Sequence, residues 1–170
     1  KKYSLLTALL LPLLILGQQE SYYSLYRYNM NVINPAYAGA EAANMLSLTS
    51  RRHLSSMDDA PITVAMSFSS ARANNVGFGI SVVSDNVFIE QQTFAYVDFS
   101  YKLDMGESQL YLGLKAGGNF YKADPSLLSS YTGGDPTQVA LSSFNPNIGA
   151  GAYYSASSFW VSFSIPRLFN

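Results

Sequence analysis

A two-residue alternation of apolar with small or polar side chains runs through most of this chain and limits what it can fold into. Successive side chains of a β-strand point to opposite faces of its sheet, so this period predicts strands that have one apolar face. No segment after the first 18 residues shows a convincing helical period. The alternation predicts an all-β chain of seven strands, at 44–54, 61–69, 76–83, 93–103, 108–122, 146–155 and 157–165.

The composition excludes several classes of protein. Only 12% of the 170 residues are charged, about half the share found in typical soluble domains. A formal net charge of -1 leaves no basic face for a nucleic acid, so no nucleic-acid partner is expected. The chain contains no cysteine, which removes disulfides, thiolate nucleophiles, zinc sites built on Cys and a lipoprotein anchor.

Residues 1–18 are predicted to be a signal peptide. Lys1 and Lys2 form a basic start, and the mostly apolar run 5–16 follows. That run is shorter than the roughly 20 residues that a transmembrane helix needs, and a basic start before a short apolar run is typical of export signals. We therefore divide the chain into a signal at 1–18, an N-terminal segment at 19–43 and β-strands at 44–170.

The strands fit either a soluble β-sandwich or a transmembrane β-barrel, and three features favour the barrel. Several of them reach the length of a tilted membrane strand, about 9–11 residues, whereas strands of soluble proteins average about 5–6. Their second face carries Gly, Ser, Asn and Tyr with an occasional charge, as in a wet lumen. Aromatic residues lie toward the predicted strand ends, as at membrane interfaces: Tyr101, Phe120, Tyr121, Tyr153 and Tyr154.

The connections predict how such an antiparallel outer-membrane β-barrel would be oriented. If the first strand rises from the periplasm, the short connections 70–74, 104–107 and 155–157 are periplasmic, and 55–60, 84–88 and 123–145 are external. Short inner turns and longer outer loops are the rule for these proteins. Seven strands do not close a barrel, because single-chain bacterial barrels usually have an even number and an open edge in lipid is costly. We expect an incomplete, N-terminal portion of a barrel.

The polar residues of the sequence form no recognisable catalytic or metal-binding pattern. Asp58 and Asp59 are adjacent carboxylates in a predicted loop without a partner base, and a solvated turn explains them better than acid-base catalysis. The 123–145 loop has acidic residues but no calcium-loop spacing. Asp98 and Lys115 are expected to face the lumen, either lining a wet interior or pairing across strands. No enzyme activity, cofactor or metal is predicted.

A proline-containing motif stands between the signal and the first strand. Pro35 removes a backbone donor and favours extended geometry at Asn34, while Gly39 permits a positive φ. The sequence from Ile33 to Gly39, Ile-Asn-Pro-Ala-Tyr-Ala-Gly, resembles the opening signature of the PorP/SprF family of the Bacteroidetes type IX secretion and gliding machinery. Two later blocks, 144–151 and 163–169, resemble further family blocks. The chain departs from the family at 51–54, where the family's Trp is absent, and in being about half as long as family members.

The resemblance implies a non-enzymatic outer-membrane barrel that binds secreted surface proteins or helps to export and anchor them. Its implied partners are the type IX translocon barrel, the C-terminal domains of secreted adhesins or other cargo, and outer-membrane lipid. The alternatives are a general porin or transporter and, less favoured, a secreted β-sandwich binding module. The N-terminal motif is interpreted first as a structural plug or hairpin at the periplasmic mouth and second as a direct partner contact. The candidate motif and partner residues are Asn34, Pro35, Ala36, Tyr37, Gly39, Asn145, Pro146, Gly149, Pro166 and Phe169.

Overall fold

Seven antiparallel strands form one continuous sheet in the computed structural model, which describes residues 26–41, 43–52, 60–71, 74–125 and 140–169. Each strand pairs with the next along the chain, and the sheet curls into a half-barrel that has β1 and β7 as its edges within the described residues. This confirms the all-β, incomplete-barrel prediction. The strands are β1 (Met45–Arg52), β2 (Ile62–Ala71), β3 (Val76–Val87), β4 (Glu90–Met105), β5 (Ser108–Ala123), β6 (Leu141–Ser155) and β7 (Trp160–Ile165).

The exposure of the strand residues is the reverse of that in a water-soluble sheet. Leu48, Leu114 and Phe163 are 67–72% exposed on the convex face. On the concave face, Lys115 is 2% exposed and Asp98 is fully buried. Because burial of apolar surface drives folding in water, a sheet with this distribution is suited to a surrounding of lipid instead. The distribution supports the barrel over the soluble sandwich.

No helix among the described residues is long and apolar enough to cross a membrane.

The N-terminal segment lies against the concave face of the sheet. Its described residues form short turns: the 3₁₀ turn Tyr26–Tyr28, the single-turn helix α1 (Met30–Ile33) and the 3₁₀ turn Pro35–Tyr37. Pro35 suits the first position of its turn, where its missing N–H would have no helical partner in any case. Val32 of this segment packs against the sheet, which forms the wall of the half-barrel. The resulting small apolar cluster contains Val32, Ala65, Val83, Phe94 and Tyr96.

The structure corrects the predicted external loop at 84–88. β3 continues to Val87 and β4 begins at Glu90, so only Phe88 and Ile89 make the turn. The polar run suggested a loop, but its side chains are satisfied across strands. Thr63 Oγ1 donates to Asp85 Oδ1 at 2.8 Å, for example. A two-residue turn of this kind needs a positive φ, which Phe88 adopts at 53°.

The loop predicted at 123–145 is also shorter than expected. β6 begins at Leu141, so that Asn145 and Pro146 are strand residues. Pro146 stands opposite Gly118 of β5, beyond the part of β6 that pairs with β7. Its missing N–H therefore removes no bond to β7. The signal peptide at 1–18, residues 53–54 of the first predicted strand and the pair Asp58–Asp59 lie outside the described residues.

Candidate functional site

Residues 29–40, called the plug below, occupy the concave face of the half-barrel and are anchored by three buried asparagines. Asn29 bonds to the first two strands. Its Nδ2 donates to Thr49 Oγ1 at 2.8 Å, and its Oδ1 accepts a hydrogen bond from Ser67 Oγ at 3.0 Å. Asn31 lies over β2 and β3, where its Nδ2 donates to the Phe68 carbonyl at 3.2 Å and to the Ile80 carbonyl at 3.5 Å. The first half of the plug is thereby tied to one side of the half-barrel.

Asn34 ties the plug to the opposite edge. Its Nδ2 donates to the Ala152 carbonyl of β6 at 3.0 Å and to Ser162 Oγ of β7 at 2.8 Å. Its Oδ1 accepts from the Ala36 N–H at 2.9 Å, which closes the turn that Pro35 begins. Ser164 Oγ of β7 donates to the Ile33 carbonyl at 2.8 Å. The plug therefore bridges β1 and β7, at opposite edges of the described sheet.

A buried ion pair lies beneath the centre of the plug. Asp98 of β4 and Lys115 of β5 are direct cross-strand neighbours, with Nζ 2.6 Å from Oδ1 and side chains no more than 1% exposed. Lys115 Nζ also donates to the Asn31 carbonyl at 2.9 Å and lies 5.1 Å from the centre of the Tyr96 ring. Both charges face the interior and pair across strands, as the alternation allowed. Their link to the plug could not be predicted from strand pattern alone.

Glycines of the wall let the plug backbone approach the strands closely. A Cβ added at Gly77 would overlap the Ala38 carbonyl, and one at Gly113 would overlap the Ala36 nitrogen. At Gly151 it would overlap the Asn34 side chain. Sequence reasoning assigned these inward glycines to a wet lumen. The signal it missed was their repetition on one face of three different strands, which indicates a surface shaped to receive another backbone.

One end of the plug carries an aromatic cluster with charged neighbours. Tyr37 donates its hydroxyl to Glu41 Oε1 at 2.5 Å and packs edge-on against the Tyr153 ring, with centroids 5.2 Å apart. Burial raises the pKa of Tyr37 above its ordinary value of 10.0, and the hydrogen bond and charge of Glu41 act in the same direction. Gly39 adopts a φ of 73°, as the motif required. Arg27, Tyr37, Glu41 and Trp160 are among the residues that line an open cavity of about 450 Å³ here.

The second group of candidate residues converges on the inner side of β6. After β7 the chain turns inward, and Asn147 Oδ1 accepts from the N–H groups of Leu168 and Phe169 at 2.9 and 3.1 Å. Asn147 Nδ2 donates to the Phe169 carbonyl. A Cβ at Gly149 would overlap the Pro166 carbonyl. Gly149, Pro166 and Phe169 are therefore brought together by Asn147, which the sequence prediction omitted although it lies within the same block.

The remaining candidates take structural positions in the two groups. Asn145 and Pro146 pair with Asn119 and Gly118 of β5, whereas Asn34, Pro35 and Ala36 lie fully buried or nearly so in the plug. Whether any of the ten candidates contacts a partner stays a prediction. Within the described ranges, no group of three or more His, Cys, Asp or Glu side chains is placed to hold a metal ion.

Comparison with known proteins gives one match. The family model described as "Type IX secretion system membrane protein PorP/SprF" matches residues 15–170. No curated protein matches the chain significantly, and no solved structure does. The match includes the plug, the ion pair and the inner face of β6.

Proposed function

Because the chain belongs to the PorP/SprF family of type IX secretion system membrane proteins, we propose that it is a non-enzymatic component of an outer-membrane barrel that binds secreted surface proteins or helps to export and anchor them. Its apolar convex face suits outer-membrane lipid, with Leu46, Leu114 and Phe163 all largely exposed.

The observation that carries this proposal is the occupation of the concave face by the chain's own N-terminal motif. A diffusion pore needs a continuous aqueous path, and here Asn29, Asn31 and Asn34 hold a segment across the wall from β1 to β7. The polar character of the inner face is what favours the porin alternative. Thr49, Ser67, Lys115 and Ser162 of that face bond to the plug, so binding of a partner at the ends of the barrel is the stronger hypothesis.

The proposed partners are the type IX translocon barrel and the C-terminal domains of secreted adhesins or other cargo. Their contact surfaces would be the strand ends and the connections between strands. The aromatic cluster around Tyr37 and Trp160 has the composition of a protein-binding surface, in which Trp, Tyr and Arg are enriched. It stands at the same end as residues 74–75, 106–107 and 156–159, which connect consecutive strands, and this is the end predicted to be periplasmic.

Deletion and complementation in the native host test the proposal. The gene is deleted, and type IX cargo is quantified on the cell surface, in the medium and in the periplasm. We expect cargo to be lost from the surface and restored by the full-length wild-type protein. Uptake of small hydrophilic solutes is measured in the same strains. Unchanged surface cargo together with reduced solute uptake would favour the porin and contradict the proposal.

A further inference from the structure

Both ends of the plug emerge at the same end of the half-barrel. Arg27 and Glu41, which flank the plug, line one cavity together with Trp160 at the start of β7. Gly39 and Ala40 line a second cavity with Asn74 and Asn75 of the neighbouring turn. The middle of the plug reaches deeper, where Val32 and Ile33 line a cavity of about 150 Å³ together with Pro166. The plug is therefore a loop that enters and leaves on one side, and no strand has to open for it to withdraw.

Besides the apolar cluster around Val32, the plug is held to the wall by a series of polar contacts. The wall contributes side-chain hydroxyls and backbone carbonyls, and the plug contributes amide groups and carbonyls of its own. Ser100 Oγ donates a further hydrogen bond to the carbonyl of Ala38, near the C-terminal end of the plug. Water can replace such bonds, since a typical protein hydrogen bond is worth only about 0.5–1.5 kcal/mol net. An interface held by such hydrogen bonds is easier to open than an apolar core of equal area.

Lys115 is a charged wall residue that bonds directly to the plug. Its ammonium group lies between Asp98 Oδ1 at 2.6 Å and the Asn31 carbonyl at 2.9 Å. Hydrogen bonds from charged donors are stronger than neutral ones, and they gain strength where water is excluded. Because Asp98 holds the ammonium in place, this bond is oriented before the plug arrives.

We propose that residues 29–40 form a plug that withdraws as a unit toward the end where Arg27 and Glu41 lie, and that the Asp98–Lys115 pair is the latch that keeps it seated. The inference goes beyond the proposed function and does not depend on which partner the barrel binds. Its consequence is that the interior of the barrel can be exposed and closed again without rearrangement of the strands.

Cysteine accessibility in the full-length, membrane-embedded protein tests this proposal. The sequence in hand has no cysteine, and any cysteine elsewhere in the full-length protein is replaced by serine. The reporter is Val32→Cys, a change to a smaller side chain at a 9% exposed position in the middle of the plug. A polymer-coupled maleimide is the probe, because it is too large for the cavity beside Val32 and reacts only when the plug has left its seat. Tyr28→Cys, at a 59% exposed position, gives the unprotected rate.

The latch is removed by the double substitution Asp98→Asn with Lys115→Met, which leaves no buried charge alone. We expect the reporter to react slowly in the wild-type background and at least about tenfold faster in the double variant, a factor equivalent to ~1.4 kcal/mol. The matched control is Asp104→Asn with Lys102→Met, which removes a partly exposed ion pair of 3.2 Å on β4. Its reporter rate should equal that of the wild type.

Two results would overturn the proposal. A reporter that reacts as fast as Tyr28→Cys in the wild type would show that the plug is not seated. A reporter that stays equally protected in the folded double variant would show that the ion pair is not a latch. Folding is verified by the heat-dependent shift of the barrel on gels. If the double variant does not fold, Asp98→Asn with Lys115→Gln replaces it, since this change also removes both charges but keeps polar side chains at the two positions, and the same two results decide.

Discussion

The two faces of β5 differ sharply in exposure and in polarity. Leu114 is 67% exposed on the convex face, whereas its neighbour Lys115 is 2% exposed on the concave face. In a water-soluble sheet these exposures would be exchanged. The difference shows that the strand is built for an apolar medium outside and for a polar, largely protein-filled space inside, where the plug and not water alone satisfies the wall.

On the inner face the buried charges of Asp98 and Lys115 neutralise each other, and removing one of them should have the largest effect on stability. Lys115→Met leaves Asp98 buried without its cation, so we expect the free energy of unfolding to fall by about 3–5 kcal/mol. Chemical denaturation of the full-length protein in lipid vesicles measures it. The control is Lys102→Met, which removes one partner of an exposed pair and should cost about 0–1 kcal/mol. Equal losses of unfolding free energy in the two variants would show that burial does not determine how much an ion pair contributes.

A charged side chain on the outer face should destabilise the protein most when it lies in the middle of a strand. Leu114→Arg places a guanidinium on the lipid-facing side, and we expect a loss of about 2–4 kcal/mol in the free energy of unfolding if the residue lies near the bilayer midplane. Leu141→Arg, at the first position of β6, is the control, because a charge near the interface costs much less. The same denaturation assay compares them. A similar cost at both positions would argue against a membrane-spanning wall.

A single methyl group added on the inner face should loosen the contact between plug and wall, with a smaller effect on stability. Gly113→Ala adds one methyl group where the Ala36 backbone lies, and overpacking of this kind costs about 1–3 kcal/mol. Ala116→Val, on the exposed face of the same strand, adds two methyl groups where space is open. We expect only Gly113→Ala to increase proteolysis of the N-terminal segment. Protection that is unchanged in Gly113→Ala would mean that the plug backbone can shift away at no cost.

The smallest expected effect depends on pH. The pKa of Tyr37 is raised in the folded protein, mainly by burial and secondly by Glu41, so folding favours the neutral phenol. Its contribution to stability is complete below the unfolded value of 10.0 and is lost as the pH rises above it. Unfolding free energies measured across this range should therefore fall less steeply for Tyr37→Phe than for the wild type. Tyr28→Phe, at an exposed position, should follow the wild type.

Strand existence was predictable because side-chain alternation is a local property of the backbone. All seven strands occur at the predicted places, and β3 and β6 differ most from the prediction, each at one end. Those ends were misjudged where polar residues such as Ser84 and Asp85 suggested a loop. Their partners Thr93 and Thr63 lie on other strands, so the information that keeps them in the sheet is not local.

The sequence by itself determined the all-β fold, the inward position of Asp98 and Lys115 and the special backbone of Pro35 and Gly39, because period, proline and glycine act through neighbouring residues. Only the tertiary structure decided what these residues meet. Asn34 bonds to residues more than a hundred positions away, and Lys115 bonds to Asn31 across the curled sheet. Such contacts follow from the curvature that brings β1, β7 and the plug together, and no local pattern encodes a distance between segments so far apart in the chain.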